Sequence, residues 1–291
     1  MLADGLRMRR YRDAITRTVR PGDVVADLGT GLGVLALMAA HAGAARVYAI
    51  DNRPAVIPIA RRIIEVNGAA DRVRVVEGDV RAVQLEEPVD VIVNELIGDF
   101  GTDEAIVECV KAFAGRHLKP GGRIVPSRLR TFLVPVQYGN EFRGIWRTDY
   151  FGLDLRPASE LACEPEPLMY SLRERPTELA PPALLDDAVF GPDMADRCTE
   201  LRRHFIVQRA GVLQGFVGYF DATLAEGINL NNYPCEASCH WQNWNWPISP
   251  PRQVEPGQRI EVVLDARANM VAAGWTLEWG VRQPSPARPP A

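Results

Sequence analysis

A surplus of positive charge is missing from this sequence. Lys and Arg number 33 against 37 Asp and Glu, for a formal net charge of −4. That balance gives no argument for nucleic acid as a partner. It suits a cationic substrate, though only weakly. CxxC pairs are missing too: the cysteines are Cys109, Cys163, Cys198, Cys235 and Cys239. This spacing points away from a disulfide framework and toward free thiols in a reducing compartment, the cytoplasm. Cys235, Cys239 and His240 lie close together, but no second ligand pair stands at zinc spacing, so no metal is expected. The N-terminus lacks the apolar core of a signal peptide, and no apolar run is long enough to cross a bilayer, so no membrane is expected. What remains is a chain of 291 residues, 47% hydrophobic, enough for one large core or two modest ones.

The most informative stretch is Asp23-Val-Val-Ala-Asp27-Leu28-Gly29-Thr30-Gly31-Leu32-Gly33, followed by an Ala/Leu/Met run up to His41. It reads as strand, tight glycine turn and helix. Gly29, Gly31 and Gly33 let the backbone take unusual dihedrals and approach a ligand closely. The next strand, Arg46 to Ile50, ends in Asp51, an acid placed to bond the two hydroxyls of a ribose. The spacing is not that of a dinucleotide turn, and no Lys-Ser/Thr follows it for a phosphate. Asp27 would repel a pyrophosphate but suits an ammonium. S-adenosylmethionine carries one, and is the cofactor expected.

The remaining segments extend this pattern. Residues 3–20 read as a helix with a basic face, near whose start Asp4 lies. A helix over 55–67 leads to a third strand, Val73 to Glu77, which ends in Gly78-Asp79-Val80. Asp79 sits where an adenine amino group needs an acceptor. Val89 to Glu95 is an almost wholly apolar strand, as a buried parallel sheet requires, and it delivers Glu95 to the ligand side of the sheet. A helix over 103–113, then a turn and a fifth strand within 118–125, complete an α/β, Rossmann-like parallel-sheet domain, 1–126. Beyond Pro126 the strands 131–138, 200–208, 215–221, 259–265 and 275–282 predict a mainly β, barrel-like domain, 127–282. Residues 151–180 interrupt it as an inserted arm, and the Pro-rich tail 283–291 is expected to be disordered.

Several of these segments together resemble the protein arginine N-methyltransferase family. Met1-Leu-Ala-Asp4-Gly-Leu-Arg7 and Tyr11 resemble its pre-motif helix, and the glycine turn with Asp51 its cofactor site. Asn94-Glu95-Leu96-Ile97-Gly98 with Asp103-Glu104 resembles its double-glutamate loop, and Cys239-His240-Trp241-Gln242 its Thr-His-Trp loop. Phe142 to Asp154 resembles the start of its helical dimerisation arm, and Gly215 to Asp221 one of its barrel strands. The resemblance covers nearly the whole chain in order. It implies a methyltransferase acting on arginine in a protein or peptide, and a homodimer. It implies that Arg7 meets the methionyl carboxylate of the cofactor and that Glu95 and Glu104 clamp a guanidinium. His240 would pair with Asp4, and Trp241 would shape the substrate pocket. The sequence departs from the family pattern where Leu96-Ile97 replaces Trp-Met and where Asp99 and Phe100 follow. A lid helix ahead of the Met-Leu segment is also expected, and this sequence begins at Met1. Two other readings stay open: a methyltransferase acting on a small guanidino molecule or amine, and a catalytically silent cofactor-binding scaffold.

The residues themselves explain the chemistry expected. A guanidinium has a pKa above about 12, and its planar fork matches carboxylates. Two carboxylates can draw its charge to the nitrogens they hold and aim the free one at a sulfonium methyl. Glu95 ends a buried strand, so it is not an ordinary surface acid. Glu104 alone fits a favourable acid at a helix start.

Overall fold

A computed structural model of the chain describes residues 2–140, 142, 149–161, 166–233, 240–267 and 272–283. Helix α1, Gly5–Thr18, begins where the Asp4 carboxylate accepts the Arg7 backbone N–H at 2.9 Å. Its buried residues, Arg7, Tyr11, Ala14 and Ile15, recur at helical spacing and form one face. Then come β1 (Val24–Leu28), α2 (Val34–His41), β2 (Arg46–Asp51), α3 (Ile57–Val66), β3 (Val73–Glu77), β4 (Val89–Asn94), α4 (Ile106–His117) and β5 (Leu118–Val125). The five strands pair in parallel in the order β3-β2-β1-β4-β5. All of β1 is buried, which is why its sequence is apolar except for Asp27 rather than alternating.

The strand order reverses between β1 and β4. In such sheets the crevice at the carboxyl ends of these two strands is the ligand site. The register makes this concrete: Leu28 pairs with Asn94, so the glycine turn and Glu95 leave the sheet side by side.

The second half is antiparallel. It contains β6 (Arg128–Gln137), a short helix α5 (Arg156–Leu161), β7 (Leu168–Tyr170), β8 (Thr177–Glu178) and β9 (Ala183–Val189). Then follow β10 (Glu200–Ile206), β11 (Gly211–Ala225), β12 (Ile228–Asn231), β13 (Asn243–Val254), β14 (Arg259–Asp265) and β15 (Thr276–Arg282). One sheet is built on β7-β13-β11-β6-β8 and the other on β10-β14-β15. Phe205, Phe216, Trp246, Ile260 and Leu264 are buried in the cluster that joins them. A second cluster runs from the parallel sheet across to Phe220 and Leu224 of β11 and to Leu230 of β12. The two halves therefore share a core, and α1 packs along that seam.

Two differences from the sequence expectations have physical causes. Strand β13 was not expected, because Pro247, Pro250 and Pro251 lie in it. The helix expected over 103–113 starts only at Ile106, after Ala105 in the left-handed region at φ 62°. Asp103 is used elsewhere, as the site shows. Most of the tail expected to be disordered, 284–291, lies outside the described residues, as do Cys163, Cys235 and Cys239 and much of the segment from Phe142 to Tyr150.

The loop before α4 rests on Phe100, which is fully buried against Trp246 at 5.2 Å between ring centroids and against Trp275 at 5.6 Å. Gly218 of β11 makes room for it: a Cβ there would lie 2.5 Å from Phe100 Cε2 and 2.7 Å from Trp246 Cζ3. Both neighbours are rigid rings. Gly218→Ala is therefore expected to destabilise the fold by about 1–3 kcal/mol through overpacking. Chemical denaturation measures it, and an unchanged midpoint would show that Phe100 is free to move.

Candidate active site

The glycine turn shapes the first of two cavities. Gly29, Gly31 and Gly33 all lie in the left-handed region, at φ 71°, 52° and 81°. A Cβ at Gly29 would meet Leu96 Cδ2 at 2.8 Å, so that position also needs the missing side chain. The Asp51 carboxylate accepts the Gly31 backbone N–H at 2.8 Å and the Arg53 backbone N–H at 2.9 Å, and pairs with the Arg53 side chain at 3.2 Å. Asp79 pairs with Arg81 at 2.6 Å, which draws its carboxyl down to about 2. These residues line a cavity of about 500 Å³ that reaches from Gly29, Gly31, Asp51, Asp79 and Val80 to Glu95 and Glu104. The Val80 carbonyl is held by Arg116 at 3.0 Å.

A second cavity, of about 470 Å³, lies on the other side of the same two acids. Its lining includes Arg7, Glu95, Asp99, Glu104, His240 and Trp241. Glu95 follows β4 directly and its Oε2 lies 3.1 Å from Arg7 Nη1. The Arg7 guanidinium stacks 3.7 Å over the Trp241 ring, whose Nε1–H donates to the Ile97 carbonyl at 2.9 Å. Burial raises the Glu95 carboxyl to about 7 despite Arg7. Burial and then the charge of Asp99 also raise Glu104.

Glu104 reaches the site through a loop, not a helix start. Asp103 Oδ1 accepts the Phe100 backbone N–H at 2.8 Å and Oδ2 accepts the Trp244 Nε1–H at 3.0 Å. Asp103 thus ties the loop to β13. The turn at Ala105 then lets α4 begin beyond Glu104, so the favourable acid at a helix start is not the explanation for this residue. Trp244, itself buried among the aromatic residues of the antiparallel half, supplies one of these ties.

The structure also revises the pairing of His240. Its backbone N–H donates to Asp4 Oδ2 at 3.0 Å while its side chain is exposed. The Asp4–His240 link is therefore made by the main chain, because the Asp4 carboxylate is already taken as the cap of α1 and as a partner of Arg7 at 3.4 Å. Arg53 and Arg81 were not singled out from the sequence. The signal available was the repeated Asp-x-Arg at 51–53 and 79–81.

Four buried polar atoms near the junction have no hydrogen-bond partner among the described residues: Arg7 Nη2, Tyr11 Oη, Asp27 Oδ1 and Glu95 Oε1. Buried polar atoms left unpaired call for an explanation. A ligand with a carboxylate and an ammonium would meet the charged ones, and Asp51 and Asp79 line the first cavity leading away from Glu95, for a ribose and an adenine. The residues present therefore fit S-adenosylmethionine.

Residues 13–129 match the family model of ribosomal protein L11 methyltransferase (PrmA). Probable protein arginine N-methyltransferase 6 of Arabidopsis thaliana is 35% identical over 167 residues, which are 56% of this chain and 38% of that protein. Protein arginine N-methyltransferase PRMT10 of the same plant is 29% identical over 299 residues, covering 91% of this chain and 78% of the relative. The crystal structure of Arabidopsis thaliana protein arginine methyltransferase 10, in an open conformation, superposes with a TM-score of 0.77 at 26% identity, covering 97% of this chain and 95% of that one. The chain thus spans less than half the length of the first relative and most of the second.

Asp27 has the clearest pH consequence. Burial raises its carboxyl to about 7, against the hydrogen bonds from Thr30 and Ala36. A group with a raised folded pKa must lose its proton before it can hold a cation, so affinity for an ammonium-bearing ligand rises with pH up to about 7 and then levels off. S-adenosylhomocysteine is expected to bind more tightly at pH 8 than at pH 5.5, by about tenfold or more, with proton release below pH 7. Asp27→Asn should flatten this profile. Calorimetry in buffers of different ionisation enthalpy reads both quantities, and a wild-type affinity independent of pH would remove Asp27 from the ammonium site.

Proposed function

We infer that this chain, which belongs to the protein arginine N-methyltransferase family, transfers a methyl group from S-adenosylmethionine to a guanidino nitrogen of arginine in a protein or peptide. The observation that carries this reading is the position of Glu95 and Glu104, which line both cavities at once. A group held in the first cavity and a guanidinium held in the second would meet at these two carboxylates. Neither small-molecule methylation nor a silent scaffold gains support from the relatives.

Where the first cavity meets the second at Glu95, Arg7, which lines the second, would turn Nη2 to the carboxylate of the cofactor, and the buried Asp27 below the glycine turn would offer Oδ1 to its ammonium. Asp51 would take the ribose hydroxyls, with Asp79 and the backbone around Val80 facing the adenine. Gly29, Gly31 and Gly33 keep the turn low enough for that approach. When bound, the cofactor supplies an electrophilic methyl on a sulfonium.

In the second cavity, Glu95 and Glu104 would each accept N–H groups of the guanidinium. Charge-assisted pairs of this kind fix orientation as well as energy. With two nitrogens held, the third is aimed back toward the first cavity, and the carboxylates stabilise the positive charge that persists through transfer. The Trp241 ring and Arg7 wall off one side. Glu104 is the candidate proton acceptor, since Glu95 is engaged by Arg7. Asp4 and His240 would act by holding α1 against the site through their main-chain link.

The same reading places the chain in the cytoplasm, in keeping with free thiols at Cys109 and Cys198. No helix among the described residues is long and apolar enough to cross a membrane. It also makes the chain a homodimer through the segment around residue 151, where Phe151 is 91% exposed, Leu153 61% and Tyr150 46%. So much aromatic and aliphatic surface on one short segment is unusual for a face that stays in water.

Glu95→Gln keeps size and hydrogen bonding but removes the charge. It is expected to lower single-turnover methyl transfer by about 10²-fold or more, and Glu104→Gln to do so less severely. Glu65→Gln, at an exposed position paired with Arg62, is the control. If both site variants methylate an arginine peptide at the wild-type rate, the two acids do not hold the acceptor. Light scattering should give twice the monomer mass of 32.2 kDa at micromolar concentration, and Phe151→Asp with Leu153→Asp should shift it to monomer. A monomeric wild-type chain would exclude the dimer.

A further inference from the structure

We propose that Asp99 is a specificity-determining residue of the acceptor cavity, selecting an arginine that stands beside a second basic side chain in a peptide. The proposal rests on the arginine-methyltransferase reading above.

The charge lining the cavity is unbalanced. Among the described lining residues, Glu95, Asp99 and Glu104 contribute three carboxylates and Arg7 the one guanidinium. Arg7 is already engaged by Glu95 at 3.1 Å and by Asp4 at 3.4 Å. One substrate guanidinium would answer Glu95 and Glu104 and leave Asp99 with no ion pair among the described residues, only the nearby charges of His240 and Arg7. The exposed His240 side chain at the rim acts on Asp99 only through its charge and makes no hydrogen bond or ion pair with it among the described residues.

Asp99 is also held in place. Its Oδ1 accepts the Gln242 backbone N–H at 2.6 Å, and its carbonyl accepts the Asn232 side-chain N–H at 2.7 Å. Oδ2 carries no hydrogen bond among the described residues. A carboxylate fixed at one oxygen and open at the other, in a cavity large enough for more than one side chain, is a preformed receptor for a cation. Its neighbours register the crowding. Burial first, and then the charges of Asp99 and Glu104, raise Asp103 to about 7. A second positive charge brought by the substrate would relieve this repulsion. In an extended peptide successive residues advance by about 3.3 Å, so a Lys or Arg close to the methylated arginine can reach across such a cavity with its long stem.

The test compares kcat/KM of the full-length protein on peptides of one length, with labelled S-adenosylmethionine. The arginine has Lys, Gln or Glu as its neighbour, and free arginine is run alongside. The expected order is Lys over Gln over Glu, with Lys over Gln by about tenfold or more, chiefly in KM. Asp99→Asn keeps the acceptor for the Gln242 N–H and should bring the Lys-to-Gln ratio within about twofold of one. Asp99→Glu should restore part of the preference. A wild-type ratio near one overturns the proposal, as does an undiminished ratio in Asp99→Asn, or free arginine outcompeting every peptide. An Asp99→Asn protein inactive on all peptides also overturns it, by making the residue structural or catalytic. The wild-type comparison needs no variant, so misfolding cannot hide the answer. Failure of the wild type on every substrate would instead strike the arginine reading itself.

Discussion

A carboxylate taken out of water is held at a cost of several kcal/mol unless a counter-charge and hydrogen bonds meet it. Glu95 is such a group, and much of the architecture serves its one ion pair. Arg7 comes from α1, outside the parallel sheet. That helix is capped by Asp4, tied through Asp4 to the His240 backbone, and anchored at its other end by Arg17 on the Glu226 carbonyl at 2.5 Å. Trp241 lies flat against the Arg7 guanidinium. The parallel sheet alone would deliver Glu95 to an open crevice. It takes residues from the antiparallel half to close that crevice and to hold the cation against the acid. This is a physical reason for the shared core between the halves: a site with its counter-charge on a third element tolerates little movement at the seam.

Elements whose periodicity depends on burial alone were legible in the sequence. Strands β3 and β14 appear over the residues expected, because each is a short run of apolar or alternating residues bounded by turn formers, whereas β5 begins earlier than expected, at Leu118, and runs through the Pro-Gly-Gly expected as a turn. The glycine turn was legible for a different reason: three positions at positive φ leave few alternatives to glycine. Strand β13 was hidden by its prolines, and the short β7, β8 and β12 carry too few residues for any period to show. The four remaining strands expected in the antiparallel half differ from the observed ones mainly at their ends.

The loop from Glu95 to Ala105 shows where sequence reasoning stops. Asp103 and Glu104 before an apolar run look like the acidic first turn of a helix. Tertiary contacts override that preference. Asp103 is drawn away by the Phe100 backbone and by Trp244, a residue far along the chain, and Phe100 is drawn into the core of the antiparallel half. Neither partner can be read from local spacing. The same holds for His240, whose residue type suggested a side-chain pair, whereas the fold uses only its amide. In each case the residue was identified and its bond was not, because the bond depends on a neighbour distant in sequence.

The two acids of the site are not equivalent, and the difference follows from how each is held. Glu95 extends a central strand with fixed register to β1, and its charge is answered by Arg7 within the protein. Glu104 sits on a loop fixed by Asp103, and no ion pair to it is found among the described residues. Its nearby charges include Asp99, which disfavours ionisation. An acid with a resident counter-charge keeps its orientation whether or not substrate is present. An acid without one gains most when a cation arrives, because repulsion from its neighbour is then offset. Glu95 is thus suited to set the direction of a guanidinium and Glu104 to respond to its charge. The division arises from placing one carboxylate on a rigid strand and the other on a loop, with a single arginine between two halves of the fold.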